Sequence, residues 1–289
     1  MKYKILLLLV VGAFCEEMLI TREYEDYLRK RVSWEVEDYE RNIFRGWTVE
    51  EAKSLLGLTS PELDNSLPEV EHSTRIPSQI NWRGSGCDHT PLNQGSCGSC
   101  WAFATAGMLS DRCCILASDK GWLSPQELVS CDKGSLGCYG GSLSSPITYM
   151  QKNGGLVSLN CFPYHAQNVA CPTTCTDGSS FASAHVCKCT STVNCYGTLG
   201  IKNCLIKGPV PIAFTVCQSF MYYKSGIYKC DCTNYIGGHA TLVMGYGSTP
   251  ECNFYVKNSW GPYWGIQGYF NIACSTCNLT GGTVCATIS

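Results

Sequence analysis

The chain has 289 residues, with 21 basic and 23 acidic side chains, a formal net charge of −2 and 22 cysteines. That near-neutral balance, with no basic run, excludes the electrostatic footprint of a nucleic-acid binder. The length allows one large domain or two lobes around a sizeable core, and the cysteine content points to an oxidising compartment.

In chain order, residues 1–15 (MKYKILLLLVVGAFC) place two lysines before an apolar run from Ile5 to Phe14. That run is too short to span a bilayer and reads as a secretory signal peptide. Nothing later reads as a membrane span, so no membrane contact is expected once the signal is removed. Residues 16–75 carry 15 acids and 8 bases, a net −7, and no cysteine; residues 76–289 carry 8 acids, 11 bases and 21 cysteines, a net +3. One reading is a helical domain fused to a second domain. The other, which the signal favours, is a propeptide over 16–75 ahead of a mature domain over 76–289.

Within the first part, Arg22–Leu58 is rich in Glu, Arg, Lys and Leu and lacks proline, which suits short, solvent-facing helices. Prolines then break the pattern, and residues 60–78 read as an exposed, cleavable linker. After QGSCGSC, the run WAFATAGMLSDRCCILA has the length and apolar content of a buried helix, with Ser99 as its N-cap. VSCDKGSLGCYGGS is a Gly- and Cys-studded loop, and ITYMQKNGG a short helix ended by glycines. From about Val210 the runs PIAFTV, GIYKC, HATLVMGYG, NFYVKNSW and GYFNIA are short strands between Gly, Asn and Pro. A helical half followed by a strand-rich half implies an α+β fold in two lobes.

The chemistry gathers around Cys97 and Cys100. A Cys-x-x-Cys pair at a helix start suits a redox dithiol, half of a metal site, or a half-cystine beside a nucleophile. The odd count of 21 cysteines beyond the signal leaves at least one thiol unpaired. Cys100, at the helix start, would have its thiolate favoured by free N–H groups and the helix dipole. A nucleophilic thiol also needs a base and an orienter for that base. Among five histidines, His72 lies in the expected propeptide. His89, His165 and His185 sit in loop-like sequence and read as surface residues. His239, in IGGHATLVMGYG, has a glycine pair that permits close approach and a strand to mount it. In KNSWG, Asn258 would fix the imidazole tautomer and Trp260 would shield that bond; alone, the motif better suits a turn with a core tryptophan.

A disulfide oxidoreductase would place Cys-x-x-Cys after a strand, whereas SGCDHTPLNQGS offers turns. An inactive binding module would lack a nucleophile or base, and none is missing. CKC at 187–189 and CDC at 230–232 lack the usual spacing of tetrahedral metal pairs and read as disulfides. No metal or other cofactor is expected.

NQGSCGSCWAF, SPQELVSC, GCYGG, GPV, YKSGIY, GGHA, NSWG and WGIQGYF together resemble papain-like cysteine peptidases, and within them the cathepsin B group. The family signature C-G-[SA]-C-[WY] expects its His and Asn roughly 130–150 residues downstream; here they lie 139 and 158 residues beyond Cys100. The resemblance implies a helical left lobe, a β-barrel-like right lobe and a cleft between them. It implies Cys100 as nucleophile, His239 as acid and base, Asn258 as orienter, and Gln94 as an oxyanion-hole donor beside the Cys100 N–H. It implies bridges Cys97–Cys138, Cys87–Cys114, Cys131–Cys171 and Cys161–Cys175, and leaves the later cysteines unplaced. Gly140 and Gly141 match the glycines whose backbone pairs with substrate, and Gly282 falls where the family closes a specificity pocket. That position carries no acid, so an apolar pocket is expected.

Cathepsin B carries a histidine-bearing insertion that caps its cleft. Here CFPYHAQNVACPTTC is compact and holds only His165, which implies an endopeptidase. FRGWTVEEAKSLLG resembles the short cathepsin B propeptide, implying a monomeric zymogen inhibited by its own prosegment, acting on protein and peptide substrates, and secreted or held in a lysosome-like vesicle. With a net −7 on residues 16–75 against +3 on the rest, protonating carboxylates at low pH is expected to weaken the docking and promote self-activation. Asn278-Leu279-Thr280 forms an N-glycosylation triplet.

Overall fold

The computed structural model describes residues 16–59, 66–279 and 282–288. The signal-peptide assignment and Thr280 of the glycosylation triplet lie outside them.

The N-terminal segment forms helix α1 (Arg22–Arg29), a two-residue strand β1 (Glu35–Val36) and helix α2 (Val49–Lys53). The Thr21 side chain caps α1, with acids in its first turn and Arg29 in its last, matching the helix dipole. Thr48 and Glu51 form a reciprocal capping box on α2. These helices are not simply solvent-facing. Leu28 of α1 and Ala52 of α2 are buried, and Leu19, Trp34, Val36, Phe44 and Leu55 of the flanking and connecting segments join them in the main core. Phe44 meets Trp260 edge-on at 5.3 Å, and Trp34 packs at 5.3 Å from Tyr228. Among the described residues, the one ion pair from this segment to the rest of the chain joins Glu35 to Lys224 at 2.8 Å.

A short strand β2 (Ile80–Asn81) leads into the helical lobe of α3 (Cys100–Leu116), α4 (Pro125–Cys131) and α5 (Ser144–Asn153). Helix α3 is buried on all sides from Cys100 to Cys113, as expected for a helix without a polar face. Strand β3 (Cys189–Cys195) and α6 (Gly197–Leu205) follow, then β4 (Val210–Cys217), β5 (Tyr223–Ser225), β6 (Ile227–Tyr228), β7 (Tyr235–Gly247), β8 (Asn253–Lys257), β9 (Tyr269–Ala273) and β10 (Thr283–Ile288). The main sheet has the order β2-β7-β8-β9-β6, with β4 also paired to β7; β10 and β3 form a separate antiparallel ribbon. Helix α3 packs against β7, so the two lobes meet at the N-terminus of the helix and the start of the longest strand. Arg112 of α3 fastens this junction by donating to the carbonyls of Pro209, Ala286, Cys204 and Gly208.

All four expected disulfides form. Five more join Cys113–Cys187, Cys195–Cys204, Cys217–Cys232, Cys230–Cys277 and Cys252–Cys274. Cys100 is free, but so are the buried Cys189 and Cys285. No helix among the described residues is long and apolar enough to cross a membrane.

Candidate active site

Cys100 is the first residue of α3 and is fully buried. Ser99 occupies the N-cap position without a side-chain cap bond; its hydroxyl pairs instead with Tyr164 Oη at 2.6 Å. The Cys100 and Trp101 N–H groups are therefore left to the thiol, while that of Ala102 donates to Ser99 O at 2.9 Å. Backbone N–H groups of Ala240, Gly57, Trp101 and Cys100 itself lie around the sulfur. Cys97 is bridged to Cys138, which deprives the oxidoreductase reading of its dithiol.

His239 lies on β7, opposite Phe214 of β4, next to the Ala240 whose N–H faces the sulfur. Strand β8 pairs antiparallel with β7, Lys257 facing Leu242, and this register brings Asn258 alongside. His239 Nε2 and Asn258 Oδ1 are 2.8 Å apart. The Asn258 atom also accepts the backbone N–H of Ser259 at 2.9 Å, so it must be the carbonyl oxygen. Nε2 then carries the imidazole proton and Nδ1 keeps its lone pair. Nδ1 is buried with no hydrogen-bond partner. Trp260 stacks on the imidazole at 4.8 Å and 26°, covering the His–Asn bond as expected.

Gln94 is buried, and its amide nitrogen donates to the carbonyls of Leu55 at 2.9 Å and Cys97 at 2.7 Å. Its orientation comes from two residues the sequence reading passed over. Ser259 Oγ donates to Gln94 Oε1 at 2.6 Å, and Tyr164 Oη donates to the Gln94 carbonyl at 2.8 Å. The serine lay inside the NSWG motif, and the tyrosine is fixed by its distance in space, which sequence separation conceals.

The N-terminal segment fills the cleft. Gly141 N–H donates to Gly57 O at 2.9 Å, Thr59 N–H to Gly141 O at 3.1 Å, and Leu58 N–H to Gly238 O at 3.3 Å. The Leu58–Gly141 pairing is parallel. Glycines make this approach possible: a Cβ on Gly140 would lie 2.7 Å from Gly57 O, and one on Gly57 only 1.8 Å from Gly98 O. Burial under this cover pushes the Cys100 thiol up to about 11 and the His239 imidazole down to about 4, the Asn258 bond opposing the latter. Thiol and imidazole are both neutral in this state. Gly282 is buried ahead of β10, with φ of 111°, and enters none of the cleft's hydrogen bonds among the described residues.

Two histidines read as surface residues are in fact ion-paired to buried acids. His89 contacts the buried Asp111 at 2.8 Å and also the exposed Asp119 at 3.1 Å; His185 contacts the buried Glu127 at 2.7 Å. Both are pushed up by hydrogen bonds to those carboxylates. Loop sequence hides the buried partners, Asp111 and Glu127, which arrive from α3 and α4. His165 and His72 are exposed as expected.

A papain family cysteine protease model matches residues 76–287. Cathepsin B-like CP3 of Giardia intestinalis is 36% identical over 284 residues, covering 92% of this chain and 93% of the relative. Cathepsin K of Mus musculus is 34% identical over 226 residues, covering 76% of this chain and 67% of the relative. Among solved structures, procathepsin B S9 of Trypanosoma congolense superposes with a TM-score of 0.84 at 26% identity, over 94% of this chain and 99% of that one. With the helical and sheet lobes meeting at an unbridged cysteine, the chain belongs to the papain family of cysteine proteases.

Proposed function

We propose that the protein is a cysteine endopeptidase made as a secreted zymogen, with residues 16–75 as its removable prosegment. The observation that carries this reading is the tautomer lock: Asn258 holds the His239 proton on Nε2, leaving Nδ1 as the base next to an unbridged thiol at a helix N-terminus. Once the prosegment leaves, water reaches the pair, the burial penalty falls, and Cys100 passes its proton to His239 Nδ1. The thiolate attacks the scissile carbonyl; the Gln94 amide and the Cys100 N–H hold the developing oxyanion. His239 protonates the departing amine, leaving an acyl-enzyme. Water then attacks the thioester, with His239 taking its proton, and the acid and thiol are released. The Leu55 carbonyl, bonded to Gln94, stands where a substrate carbonyl would accept that bond.

Endopeptidase activity is supported by the compact 161–175 loop, closed by Cys161–Cys175, and by the cleft's holding residues 55–59 in mid-chain. Gly282 as wall of an apolar pocket is part of the same reading, as is passage through a lysosome-like vesicle or secretion. A test substrate blocked at both termini should be cut internally by the matured enzyme. Release of dipeptides from a free C-terminus, with no cutting of the blocked peptide, would overturn the endopeptidase assignment.

A further inference from the structure

Residues 67–73 lie beyond the cleft and dock elsewhere. They form an added strand on the outer edge of β3, whose other edge pairs with β10. Asn194 supplies both rungs: its N–H donates to Pro68 O and its carbonyl accepts from Val70 N–H, each at 2.8 Å. Its side-chain amide donates to Leu67 O at 3.2 Å, and Glu69 bridges Asn194 in parallel register. Three residues further, Ser73 N–H donates at 2.7 Å to Oδ1 of Asn203 on α6. Leu67 and Val70 are half-buried against the main core. The two acids Glu69 and Glu71 share a cavity wall with Lys207.

This is strand addition to a sheet edge, with backbone bonds for affinity and side-chain seats for specificity. Every group that receives the segment belongs to β3, α6 or the core, and none to the cleft. Cutting the chain near residue 75 would leave those groups on the protease domain. We propose that the β3 edge is a second peptide-docking site, separate from the catalytic cleft, and that after processing its occupant is the cut tail of the chain's own prosegment, residues 66–75. The inference rests on the reading of 16–75 as a removable prosegment. It makes release a two-anchor event: while the tail is held, the cleft-binding part stays at high local concentration and rebinds.

The test uses full-length protein cut near residue 75 by an added protease, freed of its prosegment, with and without an epoxide on Cys100. A fluorescent peptide SLPEVEHSTR, matching residues 66–75, is titrated and read by anisotropy. Saturable binding is expected, equal with the cleft blocked or open. A peptide with Val70→Asp should bind about tenfold more weakly, since it loses an apolar seat. Three results would overturn the proposal: no binding up to millimolar peptide, binding abolished by the epoxide, or a processed N-terminus at or before residue 67. Activity before blocking is recorded separately, so a protein that binds the peptide but hydrolyses nothing loses the catalytic reading and keeps the docking site.

Discussion

Gly57 is where prosegment docking is most exposed to a single change. Its φ lies outside the left-handed region, so alanine is tolerated by the local backbone, and only the close approach is at stake. The new Cβ would fall 1.8 Å from the Gly98 oxygen and 2.3 Å from its carbon. Gly98 cannot retreat easily, because its N–H is bonded to Cys138 O at 2.9 Å within the Cys97–Cys138 loop. Overpacking of this kind typically costs about 1–3 kcal/mol, which converts to about 5- to 150-fold more frequent detachment of residues 55–59. In the intact zymogen the buried thiol is raised to about 11, so alkylation of Cys100 at neutral pH proceeds only through such openings. The assay is the second-order rate of iodoacetamide labelling of Cys100 in full-length protein, with intact mass excluding processing. Gly57→Ala should raise the rate within that range at a nearly unchanged Tm. An unchanged rate would refute the reasoning that this backbone contact keeps the thiol covered.

Four further outcomes are expected. Glu35 is held below the usual carboxylate range by its bonds to Lys224 and Ser225; the docking it contributes is present above the free glutamate value and lost as pH falls through the lower, docked value. Glu35→Gln should therefore flatten the acid end of the self-activation rate profile, and an unaltered profile would remove this pair from the mechanism. Ser259→Ala frees the Gln94 amide to turn and should lower kcat about 10-fold or less with KM little changed, because one donor's full loss costs on the order of 10²–10³; a change confined to KM would contradict the positioning role. Lys257 sits buried between Asp88 at 2.9 Å and Asp111 at 2.8 Å, so Lys257→Met should cost about 3–5 kcal/mol by removing the buried cation between them, with Asp111 keeping His89 and Asp88 the Tyr269 hydroxyl; the loss is seen as a fall in the urea midpoint. Thiol titration of denatured, unreduced protein should find three free thiols beyond the signal, matching Cys100, Cys189 and Cys285; a single thiol would mean the last two are bridged.

The site was more legible in the sequence than the fold around it. Cys100, His239 and Asn258 each sit in a short local motif whose glycines or aromatic residue show how the side chain is mounted; the structure joins His239 to Asn258 and sets the Ala240 N–H, one residue on from His239, at the Cys100 sulfur. The supporting pieces escaped because their evidence is not local. Strand β3 reads CTSTVNC, polar and cysteine-bearing, and becomes a strand only because β10 pairs along it; α6 begins with a glycine and has no side-chain cap. The charge imbalance between residues 16–75 and the rest points to electrostatic docking, yet the acids of the segment pair largely with its own arginines, as Glu25 does with Arg29 at 2.8 Å, and its grip is aromatic and backbone. Thiol pairing was legible in the helical lobe through the resemblance. The lone pair Cys189 and Cys285 was not, since parity requires only an odd number of free thiols.

The most direct test of the central claim is covalent labelling of the matured enzyme. An epoxide inhibitor directed at the family's thiol is added after acid processing, and the adduct is located by mass spectrometry alongside a peptide-hydrolysis assay. A single adduct on Cys100, loss of hydrolysis in proportion to labelling, and Cys97 still bridged to Cys138 is the predicted result. Full hydrolysis after stoichiometric labelling of Cys100, or an adduct on Cys189 or Cys285 that abolishes activity while Cys100 stays unmodified, would contradict the account.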